Sequence, residues 1–460
     1  MFNASIIDVI VLCPILLAFV SGYLIDKIED SRPVLGKVLG LVVMTILLGV
    51  GVYLKTTFTT VSIVLLQGLF YLNHYSSISG IVLILFFLFI HLGSKPNLGI
   101  GLSSKALFNF LGLLLALNFA NNLILVLIFS EIIILKASLP MTKTKVSLDL
   151  EGAKIRLIGL IFILGSIAVN FGGGNFATLD FLEDNASRLY SADYLFLIGA
   201  LFVLAGLIQI VLRLIKAKTG NFGAVNFIMG AALLVVINKY SSGQIFSVLN
   251  EAQSLIQWLC VLMLIFTALK SIGANSLRAL TKFIFLNTLA ISITLSLPFM
   301  FDGKGYNTLA LLHMLSTFSG LLILNIVREH LELFKGEDLL LDELRGFGAK
   351  FPNSSLLIIT AVITGLSFPL VAGLAIFTAG LKHILENGFY WVGLWVLIST
   401  SIIWLVSIKI IRTMYFRNID DDLWTLWRNR EVKDTQKFKS LILTIGVMIL
   451  PILSLCFLNL

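Results

Sequence analysis

Apolar runs long enough to span a membrane alternate with short polar segments along the whole chain. A helix needs about 20 apolar residues to cross the hydrocarbon of a bilayer. Runs near that length fall at 5–25, 35–54, 79–93, 105–120, 122–139, 154–172, 193–215, 223–240, 254–270, 283–300, 307–327, 354–380, 391–413 and 438–458. The pattern predicts an all-α polytopic membrane protein of about fourteen transmembrane helices. The run at 58–72 fits either an extension of the third span or an interfacial segment. The first run, Ile6 to Leu24, has no basic segment before it and no small-residue cleavage site after it, and reads as a retained helix rather than a signal peptide.

Composition agrees with a lipid-solvated chain: 58% of the 460 residues are hydrophobic and 13% charged. The charges sort by loop. Lys27, Arg32 and Lys37 lie in the first, and Lys95 and Lys105 in the third. Lys143, Lys145, Lys154 and Arg156 border the fifth; Arg213, Lys216 and Lys218 the seventh; Lys270, Arg278 and Lys282 the ninth. The eleventh and thirteenth loops, around Arg328–Pro352 and Arg412–Lys439, are also basic, whereas the sixth carries Asp180, Glu183, Asp184 and Asp193 against Arg188. By the positive-inside rule, odd loops face the cytoplasm or matrix and both termini face away from it. The formal net charge of +8 is thereby assigned to loop topology and anionic lipid headgroups, not to nucleic acid. Trp424 and Trp427, set among basic residues, suit an interfacial segment.

Several catalytic classes are excluded. The sequence has no Gly-rich phosphate loop, no zinc motif and no Ser-His-Asp arrangement. Its three cysteines, Cys13, Cys260 and Cys456, sit in separate apolar runs without metal-ligand spacing.

The candidate chemistry lies in polar residues inside the spans, where each is costly unless used or paired. Glu131 interrupts the fifth run; a bare carboxylate there costs roughly 2.5 kcal/mol or more on insertion scales. It reads either as a proton-relay carboxylate or as one held by a lysine of a neighbouring helix. Lys239 ends the eighth run and is either a desolvated proton carrier or a side chain snorkelling to water. His313, with Ser316, Thr317 and Ser319 nearby, is either a relay imidazole or a hydrogen-bonded core histidine. Asn287 and Gln209 are weaker candidates, since intramembrane amides usually join helices. Gly365, Pro369 and Gly373 interrupt the twelfth run, as a cavity-lining broken helix or a simple kink.

Several segments together resemble the antiporter-like membrane subunits of respiratory complex I, shared with multisubunit sodium/proton antiporters and membrane-bound hydrogenases. Leu341–Pro352 is similar to that family's "D-L-x-G-L-G-K-K-x-P" loop, and Gly365-Leu366-Ser367-Phe368-Pro369-Leu370 with Gly373 to its "G-I-P-P-x-x-G-F" break. Ile410–Phe416 resembles the end of its thirteenth helix, and Ser276-Leu277-Arg278-Ala279-Leu280 with Asn287 its "D-x-K-R-L-L-A-Y-S-S" stretch. Glu131 falls at the family's fifth-helix glutamate, and His313 at the first histidine of "H-x-x-x-H-x-x-x-K". The likeness runs from about residue 75 to 440.

The resemblance implies two inverted five-helix repeats with discontinuous helices, at 105–240 and 254–413. N-terminal helices (1–104) would precede them, and a cytoplasmic segment with the last helix (414–460) would follow. It also implies proton translocation within an NADH-quinone oxidoreductase, with Glu131, Lys239, His313 and Asn287 as relay residues. On this expectation the chain binds no cofactor or metal and has no redox site of its own. Flavin, iron–sulfur clusters and quinone then belong to partner membrane subunits, in a bacterial or mitochondrial inner membrane. The departures are specific. Gln209 or Ile210 stands where the family has its seventh-helix lysine, Thr317 and Leu321 replace the second histidine and the lysine of the eleventh, and Ile376 or Phe377 stands at the twelfth-helix lysine unless Lys382 substitutes. Those losses leave open a non-conducting structural paralogue and, as a third reading, a cation/proton antiporter subunit.

Overall fold

The computed structural model describes residues 4–57, 63–65, 69–72, 74–93, 102–138, 150–171, 198–199, 202, 228–236, 253–302, 308–335, 338–365 and 372–416. Lys239, Gln209, Pro369, the acidic sixth loop, the basic segment after Phe416 and the last span lie outside them. The protein is an all-α polytopic membrane protein. Among the described residues, four helices are long and apolar enough to cross a bilayer: Pro33–Thr57, Leu277–Pro298, Leu309–Glu332 and Tyr390–Phe416. The chain divides into two compact units, one of Met1–His91, Leu102–Ser254 and Phe299–Thr308, the other of Leu92–Gly101, Leu255–Pro298 and Leu309–Leu460.

The first unit opens with α1 (Ala4–Ser31) and α2 (Pro33–Thr57), separated by Arg32. Proline fits the first turn of α2, where no backbone donor is needed. A short antiparallel hairpin follows, β1 (Ile63–Leu65) with β2 (Phe70–Leu72). It lies within the run at 58–72, read above as a span extension or interfacial segment; Asn121 donates its backbone N–H to Leu69 at 2.9 Å and ties it to the chain after α4. Next come α3 (His74–Gly93), α4 (Ser104–Phe119), α5 (Leu123–Ser138) and α6 (Leu150–Phe171). Ser103 caps α4 by accepting the Ala106 N–H. Small residues let these helices approach, as is usual in membranes: Gly22 lies against Phe108 and Gly112 against Phe19 between α1 and α4, and Gly40 against His91 between α2 and α3. Asn118 joins α4 to α3, donating to the Ser76 carbonyl at 2.7 Å and accepting from Ser79 at 2.6 Å.

The second unit contains α7 (Gln253–Ile272) from Leu255 on, α8 (Leu277–Asp302) as far as Pro298, and α9 (Thr308–Lys335) from Leu309 on. A 3₁₀ turn (Asp342–Leu344), the short α10 (Phe347–Lys350), α11 (Pro352–Gly365), α12 (Ala372–Glu386) and α13 (Tyr390–Phe416) follow. Burial separates inner from outer helices. The spanning windows of α8 and α9 are 83% and 94% buried, whereas that of α13 is 33% buried and leaves Leu405 and Phe416 facing outward. Helix α9 continues to Lys335, past the end of the apolar run at 327, because the charges Arg328, Glu329 and Glu332 turn inward and find partners. The α12–α13 corner is a Schellman motif: Phe389 N donates to Ile384 O at 3.1 Å and Gly388 N to Leu385 O at 3.0 Å, with Gly388 at φ 82°.

The loop that carries the Leu341–Pro352 motif is docked on α13. Gly346 at φ 65° donates its N–H to Thr413 O at 3.2 Å, and a Cβ on Gly348 would meet the Tyr415 ring at 2.7 Å. A left-handed residue with a side chain costs roughly 1 kcal/mol. Gly346→Ala is therefore expected to lower the melting temperature of the detergent-purified chain by an amount equivalent to about 1 kcal/mol. Gly346→Asn, which tolerates that backbone better, is expected to lose less; equal melting for all three forms would contradict the role assigned to this glycine.

Candidate functional site

In the first unit, Glu131 sits midway along α5 and meets Arg156 of α6. Arg156 Nε lies 2.7 Å from Glu131 Oε1, with the side chains 2% and 25% exposed. The partner of Glu131 is thus an arginine rather than a lysine, and a residue whose charge had suggested a loop border is fully buried. Arg156 Nη1 has no hydrogen-bond partner among the described residues. No local pattern pointed to Arg156; only the packing of α5 on α6 brings it to Glu131.

In the second unit, polar side chains line the contacts among α7, α8 and α9. His313 of α9 is 2% exposed, and its Nδ1 shares a hydrogen bond with Ser292 Oγ of α8 at 3.0 Å. Ser316 and Thr317, one turn on, donate to the His313 carbonyl at 2.9 and 2.8 Å, and Ser319 donates to the Ser316 carbonyl at 2.7 Å. The Phe377 ring of α12 lies 6.0 Å from the imidazole. Asn287 of α8, 2% exposed, donates to Thr267 Oγ1 of α7 at 2.8 Å, so its amide links those two helices. An imidazole held this way accepts a proton on one nitrogen while the other donates, which is the chemistry a relay requires.

Helix α11 ends at Gly365, α12 begins at Ala372 with the buried Gly373 in its first turn, and Pro369 falls between them, outside the described residues. The end of α11 is pressed against α9, where a Cβ on Gly365 would meet Leu321 at 3.2 Å. Leu321, Ile376 and Phe377, at positions where lysines were expected from the resemblance, are 1%, 0% and 3% exposed and belong to the core. Lys382 is exposed on α12 and pairs with Glu386 at 3.5 Å, so it takes no inward position.

One group escaped the sequence reading: an ionic cluster of Arg278, Arg328, Glu329, Glu332 and Asp338 at the start of α8 and the end of α9. The signal was present in Val327-Arg328-Glu329-His330-Leu331-Glu332, an apolar helix continued without Gly or Pro into charges at i, i+4 spacing.

Neither a family model nor a curated protein matches the sequence. Solved structures do. A chain of respiratory complex I from Thermus thermophilus with bound NADH superposes with a TM-score of 0.67 at 16% identity, covering 97% of this chain and 98% of that one. A chain of the membrane-bound sulfane sulfur reductase, an archaeal respiratory membrane complex, gives 0.67 at 14% identity with 97% and 94% covered. A chain of the Mrp complex from Dietzia sp. DQ12-45-1b gives 0.69 at 14% identity with 99% and 94% covered. The chain shares its fold with these chains of respiratory membrane complexes and of the Mrp complex. Coverage is nearly complete on both sides, so the shared fold extends along the whole chain.

Proposed function

We propose that the chain is an antiporter-like subunit of a complex I-type NADH-quinone oxidoreductase, contributing to proton translocation across the membrane. The observation that carries this reading is the buried imidazole–hydroxyl contact of His313 with Ser292, set between two inner helices of the antiporter-like fold. Ser292 and His313 hold a single proton position between them, and the hydroxyls of Ser316 and Ser319 extend polar atoms along α9. Glu131 serves as a relay only when its carboxylate leaves Arg156; otherwise the pair is a fixed charge that shapes the local field. Lys239 is assigned the central proton on the resemblance alone, and Asn287 is assigned to orienting water beside α7. Gly365, Pro369 and Gly373 are assigned to a helix break facing the conduction path.

On this reading electrons pass from NADH to quinone through flavin and iron–sulfur clusters in partner subunits, and this chain contributes proton movement. It sits in a bacterial or mitochondrial inner membrane among other membrane subunits, with both termini away from the cytoplasm or matrix. A non-conducting structural paralogue is the second reading, favoured by the apolar core positions of Leu321, Ile376 and Phe377. Likeness to the Mrp complex keeps a cation/proton antiporter subunit as the third.

The test starts with purification of the tagged chain in mild detergent and identification of its partners. Quinone-reducing partners support the first two readings; small hydrophobic partners alone support the third. In reconstituted complex, His313→Ala is expected to slow proton movement on the order of tenfold or more, since one proton-transfer group is typically worth about 10²–10⁴ in rate. Full proton movement in His313→Ala and Glu131→Gln complexes would leave the structural-paralogue reading in its place.

A further inference from the structure

The charges on the last turns of α9 do not face water. Glu329 and Glu332 are each 8% exposed and Arg328 is 3% exposed. Arg278, from the first turn of α8, spends its two terminal nitrogens on short contacts, with Glu332 Oε2 at 2.7 Å and Asp338 Oδ1 at 2.8 Å. Glu332 also accepts the backbone N–H of Leu339 at 3.3 Å. What remains for Glu329 is Arg328, and Arg328 is divided. Its Nη2 lies 3.4 Å from Glu329 Oε1 and its Nε lies 3.5 Å from Glu332 Oε2. That Nε is buried and has no hydrogen-bond partner among the described residues. The short-range partner of Glu329 is a neutral amide, Asn325 Nδ2 at 2.7 Å.

Among the described contacts, Glu329 is therefore the carboxylate with the weakest ionic contact, 3.4 Å against 2.7 and 2.8 Å for Glu332 and Asp338. A buried charge without close compensation tends to neutralise instead of persisting. Two fixed cations beside it disfavour a metal ion, so the ligand is a proton. We propose that Glu329 is a proton-binding site at the C-terminal end of α9, exchanging one proton with water as the Arg328 fork moves between Glu329 and Glu332. Proton uptake converts the carboxylate to a carboxyl with one O–H bond and no other change; release restores the ion, with Arg328 closing onto it. Among the described contacts, the charged groups around it are Arg328 and Glu332 on α9, Arg278 on α8 and Asp338 in the following loop. This goes beyond the transport role proposed above, because the site binds a proton whether or not the chain conducts.

Infrared difference spectroscopy of the full-length chain in liposomes, stepped across pH, tests it. A buried carboxyl C=O band that shifts in D₂O is expected in the wild type. Glu329→Gln is expected to abolish it, and Glu332→Gln to retain it. Asn325→Leu removes a donor to the ionised form, which favours the protonated form, so the band's midpoint is expected to move to higher pH. Absence of the band in the wild type, or its survival in Glu329→Gln, overturns the assignment. Should Glu329→Gln fail to fold, the Asn325→Leu midpoint decides, and an unmoved midpoint overturns it. None of these readings depends on proton transport, so the site and the transport function fail separately.

Discussion

Arg156→Leu is expected to destabilise the chain by about 3 kcal/mol, the lower end of what breaking a buried ion pair costs. The lower end applies because Glu131 is 25% exposed and regains part of its solvation, while Arg156, at 2%, is enclosed. The loss comes mainly from the carboxylate left without its cation on α5, not from the attraction itself. A thermal melt of the purified chain in detergent measures it. The double variant Arg156→Leu with Glu131→Gln removes both charges and is expected to recover most of the loss, so the two changes are strongly non-additive. Additive losses across this cycle would mean that the pair does not hold α5 to α6. Arg156→Lys keeps a cation but not the planar fork and should fall between wild type and Arg156→Leu.

Gly320→Leu is expected to keep the second unit from packing at all. Gly320 faces α11 so closely that an added Cβ would lie 2.7 Å from the Ala361 carbonyl and closer still to Thr364 and Gly365. Those neighbours are largely backbone, so they cannot turn aside as a side chain does. Overpacking of this kind typically costs 1–3 kcal/mol; Gly320→Ala is expected to fall in that range, about 2 kcal/mol. Leucine would drive α11 off α9 at the C-terminal end of α11. Lost monodispersity on size exclusion is the expected readout for Gly320→Leu, with Gly320→Ala monodisperse but less heat-stable. A Gly320→Leu chain with wild-type behaviour would show that α9 and α11 do not approach this closely.

These two contacts show what was and was not legible beforehand. Glu131 was visible as a carboxylate inside an apolar run, and the alternative of a charge held by a neighbouring helix was visible too. Its partner was not, because Arg156 lies 25 positions later in a run whose start looks like a loop. His313 was conspicuous for the same reason as Glu131, whereas Ser292 was one of many hydroxyls on α8. The cluster around Glu329 was missed because a run of charges after an apolar helix ordinarily marks its exit to water. The stretch at 58–72 stood between a span extension and an interfacial segment, and the hairpin found within it is decided by pairing between residues 63–65 and 70–72.

By itself the sequence determined that this is a helical membrane protein and roughly where most of its described helices lie. Those properties follow from the transfer of single segments between water and lipid, a local quantity summed along the chain. Tertiary structure decided which charges are partners, which polar residues are helix-to-helix links and which carboxylate has the weakest ionic contact. Each of those depends on the distance between residues far apart in the chain, set by the close approach of helices at small residues such as Gly320 and Gly112.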